Sequence, residues 1–327
     1  MKSFETKTTR FLASRSCAIL LMVLGLCAAV AGYRPTAVDA GLDSGPVFAS
    51  PSMWIADPAV RFGTGLFLTV GVLALMDALN RVFNLLRTPS LLFLGLFMIM
   101  QAATPALIGS AIGGVVLNVA VLGVLTVIYT TYLAPKLTRR VFLAFFVLAA
   151  LLLCDYVYAV YIAMFLLSFS QMRCSGPRML LSAAVGIIAP VWIVFGLGLA
   201  TPGDVHWPWP ETLLTSLERG RLVTLLVTVG ITVIGGFLLC AMNMVKIYSY
   251  NAKDRSFSGL LMMLTLGTAL AVLVDFRNCM AYMSLLNCLM AFQVGLFFRV
   301  NANRRAYIVV CGMLLCYAVI YFVNLWV

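Results

Sequence analysis

The stretch from Arg139 to Arg173, RRVFLAFFVLAALLLCDYVYAVYIAMFLLSFSQMR, decides how the rest of the chain is read. Basic residues mark both ends, and Asp155 is the one charged residue between Val141 and Phe169. A single helix over those residues would be about 43 Å long, against a hydrocarbon core of about 30 Å. It would need a tilt of roughly 45°, beyond the usual limit of about 40°. Two short helices turning at Cys154-Asp155-Tyr156 fit better. Each arm would be about 21 Å, so the turn should stop below the outer surface by something like 9 Å.

Composition sets the class. Across 327 residues, 63% are hydrophobic and 10% charged, and apolar runs succeed one another throughout. Continuous runs, rather than alternating ten-residue segments, exclude a β-barrel and predict an all-α, polytopic transmembrane helical bundle, because helices satisfy their own backbone groups in lipid. The net charge of +11 is read as the basic bias of short cytoplasmic loops, so the expected partner is the lipid bilayer and not nucleic acid. The nine cysteines lie in or beside apolar runs without a CxxC pair, and His206 is the sole histidine. They are read as small hydrophobes, and neither a metal nor another cofactor is expected.

The order of segments follows. The run Cys17 to Tyr33 carries a signal-peptide-like Ala29-Val30-Ala31, but a retained first helix is preferred because many spans follow. An acidic outer loop, residues 34–62, is followed by a helix from Gly63 to about Leu79. Asp77 and Arg81 have the spacing of a helical ion pair. The run Pro89 to Ala134 must break near Thr104-Pro105, since proline lacks a helix donor and restricts its predecessor. That leaves a second short arm, ending near Gln101 and Thr104 at a depth similar to that of Asp155. After the opening hairpin come helices at Met179–Ala200 with a kink at Pro190, Leu222–Asn243, Ser258–Val274, a turn at Asp275–Asn278, a tenth helix to Phe298, and Ala306–Leu325. A second larger outer loop spans 201–218.

The expectation is therefore a single membrane domain over 1–327 with about eleven spans, two short-helix hairpins, N-terminus inside and C-terminus outside. The hairpin reading puts 17 of the 22 Lys and Arg residues on the cytoplasmic side, whereas a single span at 141–169 puts only 12 there. The positive-inside rule favours the hairpin. Eight of the eleven acidic residues then fall on the outer side.

Candidate chemistry accordingly sits on that side. Asp155 is a candidate because an ionisable group at membrane depth needs water or a partner, and Tyr156, Tyr158 and Tyr161 would surround it; its competing reading is a turn cap. Asp39 and Asp43 are candidate catalytic carboxylates, with Asp57 a candidate binding residue; a solvated, turn-rich loop explains all three equally. His206 between Trp207 and Trp209 is a candidate sugar- or proton-binding residue, or part of an interfacial aromatic belt. Asp275 and Arg277 are read as ending a helix hairpin, and Asn118, Asn287 and Gln293 as bonding across helix pairs. No nucleotide, hydrolase or metalloprotease motif stands in a usable context.

The segments NRVFNLLRTPSLLF (80–93), QAATPAL (101–107), IYTTYLAPKLTRRVFLAFF (128–146) and SGPRMLLSAAVGIIAPVW (175–192) resemble a family of bacterial multi-pass inner-membrane proteins of unknown function. The resemblance covers about residues 80–198 and implies no activity. The layout as a whole also resembles membrane glycosyltransferases of the GT-C type, which use polyprenyl-linked sugars. That likeness implies a base in the first outer loop, at Asp39 or Asp43, and a polyprenyl-linked sugar as partner. The chain lacks the paired acidic signature and the large outer domain of those enzymes. The first expectation is thus an inner-membrane protein of envelope biogenesis, with envelope-assembly proteins as partners, and the alternative is a glycosyltransferase or polymerase. A secondary transporter fits less well, because the short hairpins of the first half have no counterpart in the second.

Overall fold

The computed structural model describes residue 11 and residues 14–34, 45–86, 91–109, 112–134, 137–173, 176–206, 219–247, 250–300 and 304–326. Among them the structure is helical, with no strand. The α-helices are α1 (Arg15–Ala31), α2 (Pro58–Phe83), α3 (Leu92–Ala102), α4 (Ala106–Gly109), α5 (Ile112–Tyr129), α6 (Thr138–Leu152), α7 (Val157–Gln171), α8 (Pro177–Gly196), α9 (Arg219–Ile247), α10 (Ala252–Val274), α11 (Cys279–Val300) and α12 (Arg304–Trp326). Seven helices are long and apolar enough to cross a membrane. At about 1.5 Å per residue, α6 and α7 are each about 22 Å long and α3 only about 16 Å.

The turn lies where the length argument puts it. Helix α6 ends at Leu152 and α7 starts at Val157. The N–H groups of Cys154 and Asp155 close on the Leu151 carbonyl at 2.9 and 3.0 Å. The Asp155 carboxylate then accepts the Val157 N–H at 3.1 Å, so the residue whose backbone N–H helps close one helix starts the next with its side chain. Thr104-Pro105 breaks the earlier run between α3 and α4, as expected from the missing donor. Asp77 and Arg81 pair at 2.6 Å.

Helix ends differ from the expectation for local reasons. Helix α2 starts at Pro58 rather than Gly63, because Asp57 accepts the Ala59 N–H at 2.8 Å and proline suits the first helical position. It runs past Leu79 to Phe83 and stops at Asn84, which takes a left-handed conformation at φ 49°. Helix α10 starts at Ala252, six residues early, with Asp254 in the first turn where the helix dipole favours an acid. Helix α8 continues through Pro190 and ends at Gly196.

Helix α11 is the axis of the fold. Its apolar stretch is 83% buried, against 28% for α2 and α8 and 17% for α12. Around it, helices meet through glycine. A Cβ on Gly25 of α1 would lie 2.8 Å from Met98, and one on Gly95 of α3 would lie 2.8 Å from Leu21, so the two backbones are in mutual contact. Gly186 of α8 meets the Phe142 carbonyl of α6 in the same way, at 2.7 Å. Leu181, Ile188 and Trp192 of α8 stay exposed on the periphery. Apolar faces of this extent are what a bilayer covers.

Candidate functional site

One end of the molecule gathers the α6–α7 turn, the α10–α11 turn and the loop before α2. The N–H groups of Val47 and Phe48 both donate to the Leu153 carbonyl at 3.0 Å. Gly45 permits this docking, since a Cβ there would meet the Cys154 and Phe48 carbonyls well inside contact distance. Ser50 and Ser52 are buried, and the Ser52 hydroxyl accepts the Gly113 N–H at 3.3 Å near the start of α5. The His206 N–H donates to the Pro46 carbonyl at 2.9 Å. The α6–α7 turn is therefore partly roofed by residues 45–54.

Under that roof two carboxylates share a set of tyrosines. Asp275 accepts from the Asn278 amide at 2.9 Å and from the Tyr282 hydroxyl at 3.2 Å. Asp155 and Asp275 both act electrostatically on the Tyr282 hydroxyl, although they belong to different interhelical turns. Asp155 acts on the Tyr158 hydroxyl as well. Tyr161 bonds Thr268 at 3.2 Å, and its ring lies 6.4 Å from that of Tyr282. Among the described residues the Tyr158 hydroxyl is buried without a hydrogen-bond partner, as is that of Tyr156. A polar group so placed is a ready donor to whatever enters.

The sequence candidates distribute unevenly over this end. Asp155, Tyr158 and Tyr161 belong to the cluster, with Tyr156 in the turn itself. Asp57 caps α2 in an exposed position. His206 is exposed and adjoins Asp204, whose carboxyl is held below the usual carboxylate range by hydrogen bonds from the Thr201 N–H and hydroxyl. Asp39 and Asp43 lie outside the described residues. Gln101, expected at a depth similar to that of Asp155, is fully buried and bonded to Ser284 and Asn287 of α11. Sequence reading passed over Tyr282 and took Asp275 as a helix end.

A buried cation completes this end. Arg61 is 2% exposed, its Nε and Nη2 donating to the Ile55 and Ala56 carbonyls at 3.1 and 3.2 Å. Its Nη1 has no hydrogen-bond partner among the described residues. Segment 47–56 thus touches both the Asp155 turn and Arg61.

Carboxylates, phenols and a guanidinium are groups that recognise a polyhydroxylated or phosphate-bearing headgroup. Among the described residues no group of three or more His, Cys, Asp or Glu is arranged to hold a metal ion. No protein-family model, curated protein or solved structure matches the chain. The class is therefore defined by the fold alone: a protein that is helical over its described residues, with seven helices among them fit to cross a membrane.

Proposed function

We propose that this protein acts in cell-envelope biogenesis from the outer side of the bacterial cytoplasmic membrane, where the Asp155–Asp275–Tyr282 cluster binds a polar headgroup. The observation carrying this reading is that the Asp275 carboxylate, bonded to the Tyr282 hydroxyl at 3.2 Å, lies at the same end of the molecule as the Tyr156 and Tyr158 hydroxyls, which are buried without a hydrogen-bond partner among the described residues.

A second reading, glycosyl transfer from a polyprenyl-linked donor, is favoured by Arg61. Its free Nη1 can donate to the donor's phosphate, while a carboxylate of the cluster takes the proton from an acceptor hydroxyl. The acceptor oxygen then bonds the anomeric carbon, the bond from that carbon to phosphate breaks, and the polyprenyl phosphate leaves with the electron pair. Asp155 and Asp275 stand beside Asp39 and Asp43 as candidates for the base.

The test is replacement of Asp155 and Asp275 by Asn, singly and together, with Arg61→Gln, Asp39→Asn and Asp43→Asn in parallel. The readout is the composition of cell-surface glycan at matched protein level. Loss in the double variant supports a site at the two turns, and added loss with Arg61→Gln supports transfer from a phosphate-linked donor. Unchanged glycan in every variant overturns both readings.

A further inference from the structure

We infer that the junction of α3, α5 and α11 binds a monovalent cation of about the size of sodium, held by the side-chain oxygens of Asn118, Asn287 and Gln101. The inference is independent of the proposed function, because it concerns a different cluster, deeper in the molecule. Gln101, Asn118 and Ser284 are 0% exposed and Asn287 is 1% exposed. Three amides on three helices thus meet in one buried hydrogen-bonded network.

Their orientations are fixed by backbone. The Asn118 amide nitrogen donates to the Ser284 carbonyl at 3.3 Å and to the Ser284 hydroxyl oxygen at 2.9 Å. The Asn287 nitrogen donates to the Met100 carbonyl at 3.4 Å and to Gln101 Oε1 at 3.1 Å. Carbonyls only accept, so flipping either asparagine would set oxygen against oxygen. The Gln101 nitrogen donates to the Ser284 hydroxyl oxygen at 2.7 Å. Ser284 therefore takes two amide N–H groups at once, which fills its lone pairs and makes it the positioning residue of the cluster.

The remainder is an excess of acceptors. Asn118 Oδ1 and Asn287 Oδ1 are buried with no hydrogen-bond partner among the described residues, and Gln101 Oε1 has a second lone pair. A buried amide oxygen left unsatisfied is destabilising. Two in one network call for a shared positive or donating ligand. By contrast, the other buried amide cluster leaves no oxygen orphaned: Asn243 donates to Gln293 Oε1 at 2.9 Å, and Gln293 donates to Thr265 at 3.1 Å.

Position selects a cation. Helix α3 ends at Ala102, so the negative end of its dipole points into this junction. Broken helices use such ends to hold monovalent ions at membrane depth. The oxygens are all neutral, whereas calcium and magnesium sites draw on carboxylates, so a single charge is the better match. Gly114 makes the approach possible: a Cβ there would lie 2.8 Å from that of Ser284, which brings α5 and its Asn118 onto α11. Along α11, Ser284 and Asn287 stand about 3 and 8 Å beyond Tyr282. The carboxylates of Asp155 and Asp275 at the end of the molecule enrich cations near that approach.

The experiment is thermal unfolding of the purified full chain in nanodiscs, in NaCl and in choline chloride of equal ionic strength. A saturating rise in Tm with NaCl, absent in choline chloride and lost in Asn118→Ala and Asn287→Ala, is expected. Asn243→Ala should keep the response, since it perturbs the other amide cluster. Should the alanine variants not fold, Asn287→Asp supplies the test: an added negative charge should tighten sodium binding at least tenfold. Equal Tm in both salts, the behaviour of a water bridging the two amide oxygens, overturns the inference. So does a response retained in both alanine variants, or an unchanged affinity in Asn287→Asp.

Discussion

Gly45→Ala should detach the 45–54 segment from the α6–α7 turn. The added Cβ would run into the carbonyl oxygens of Cys154 and Phe48, both backbone atoms that cannot move aside alone. Relief requires lifting the segment, which breaks the bonds from Val47 and Phe48 to the Leu153 carbonyl. At about 0.5–1.5 kcal/mol per hydrogen bond, the closed state loses about 1–3 kcal/mol. With about 1.4 kcal/mol to a factor of ten, that is a roughly 5- to 150-fold rise in the open fraction. Cys154, half-buried beside the segment, reports the opening. In a variant retaining Cys154 as its only cysteine, the rate of maleimide labelling should rise by that factor while Tm changes little. An unchanged rate would refute the docking of the segment on the turn, and a matching fall in global stability would show that it is not a local opening.

Gly186→Ala should destabilise the protein by about 1–3 kcal/mol through overpacking against α6, whereas Gly71→Ala, with open space around its Cβ, should be neutral or stabilising by up to about 1 kcal/mol; unfolding in denaturant at fixed detergent separates them. Gln293→Leu removes its side-chain bonds to Asn243 of α9 and Thr265 of α10 while keeping the bond from Asn243 to its backbone carbonyl, and at about 0.6 kcal/mol per interhelical bond it should lower stability by about 1 kcal/mol, read in the same assay. The capped turn at Thr201–Asp204 should depend on pH. Its carboxyl is depressed by the Thr201 bonds, so its contribution is fully present above the unfolded carboxylate value and is lost as pH falls through the lower, folded one. Hydrogen exchange at the Thr201 amide should accelerate relative to neighbouring amides over that acid range and not near neutrality.

Length made the break within residues 141–169 legible. The run 141–169 mismatched a bilayer as one helix, and its one charged residue sits at the turn, where its carboxylate accepts the Val157 N–H at the start of α7. Thr104-Pro105 was readable because proline removes a donor whatever the tertiary context. The pairing of amides across helices was readable too, since lipid-facing amides are unfavourable. Helix ends were less so. Asp57-Pro58 is a start signal that apolar patterning overrode, and Lys253-Asp254-Arg255 looked like a loop although it forms the first turn of α10. Proximities between distant segments were beyond reach. Gln101 ends a short arm, and its bonds to Ser284 and Asn287 of α11 could not be read from that. The approach of the Tyr161 and Tyr282 rings, more than a hundred residues apart, depends on how whole helices pack.

Sidedness underlies the whole functional account and is open to one measurement. In intact cells, a membrane-impermeant thiol reagent should label Asn278→Cys, at the α10–α11 turn beside Asp275, and should leave Lys253→Cys at the start of α10 unlabelled until the membrane is permeabilised. Labelling of Lys253→Cys in intact cells, with Asn278→Cys protected, would place the carboxylate cluster on the cytoplasmic side and contradict the account.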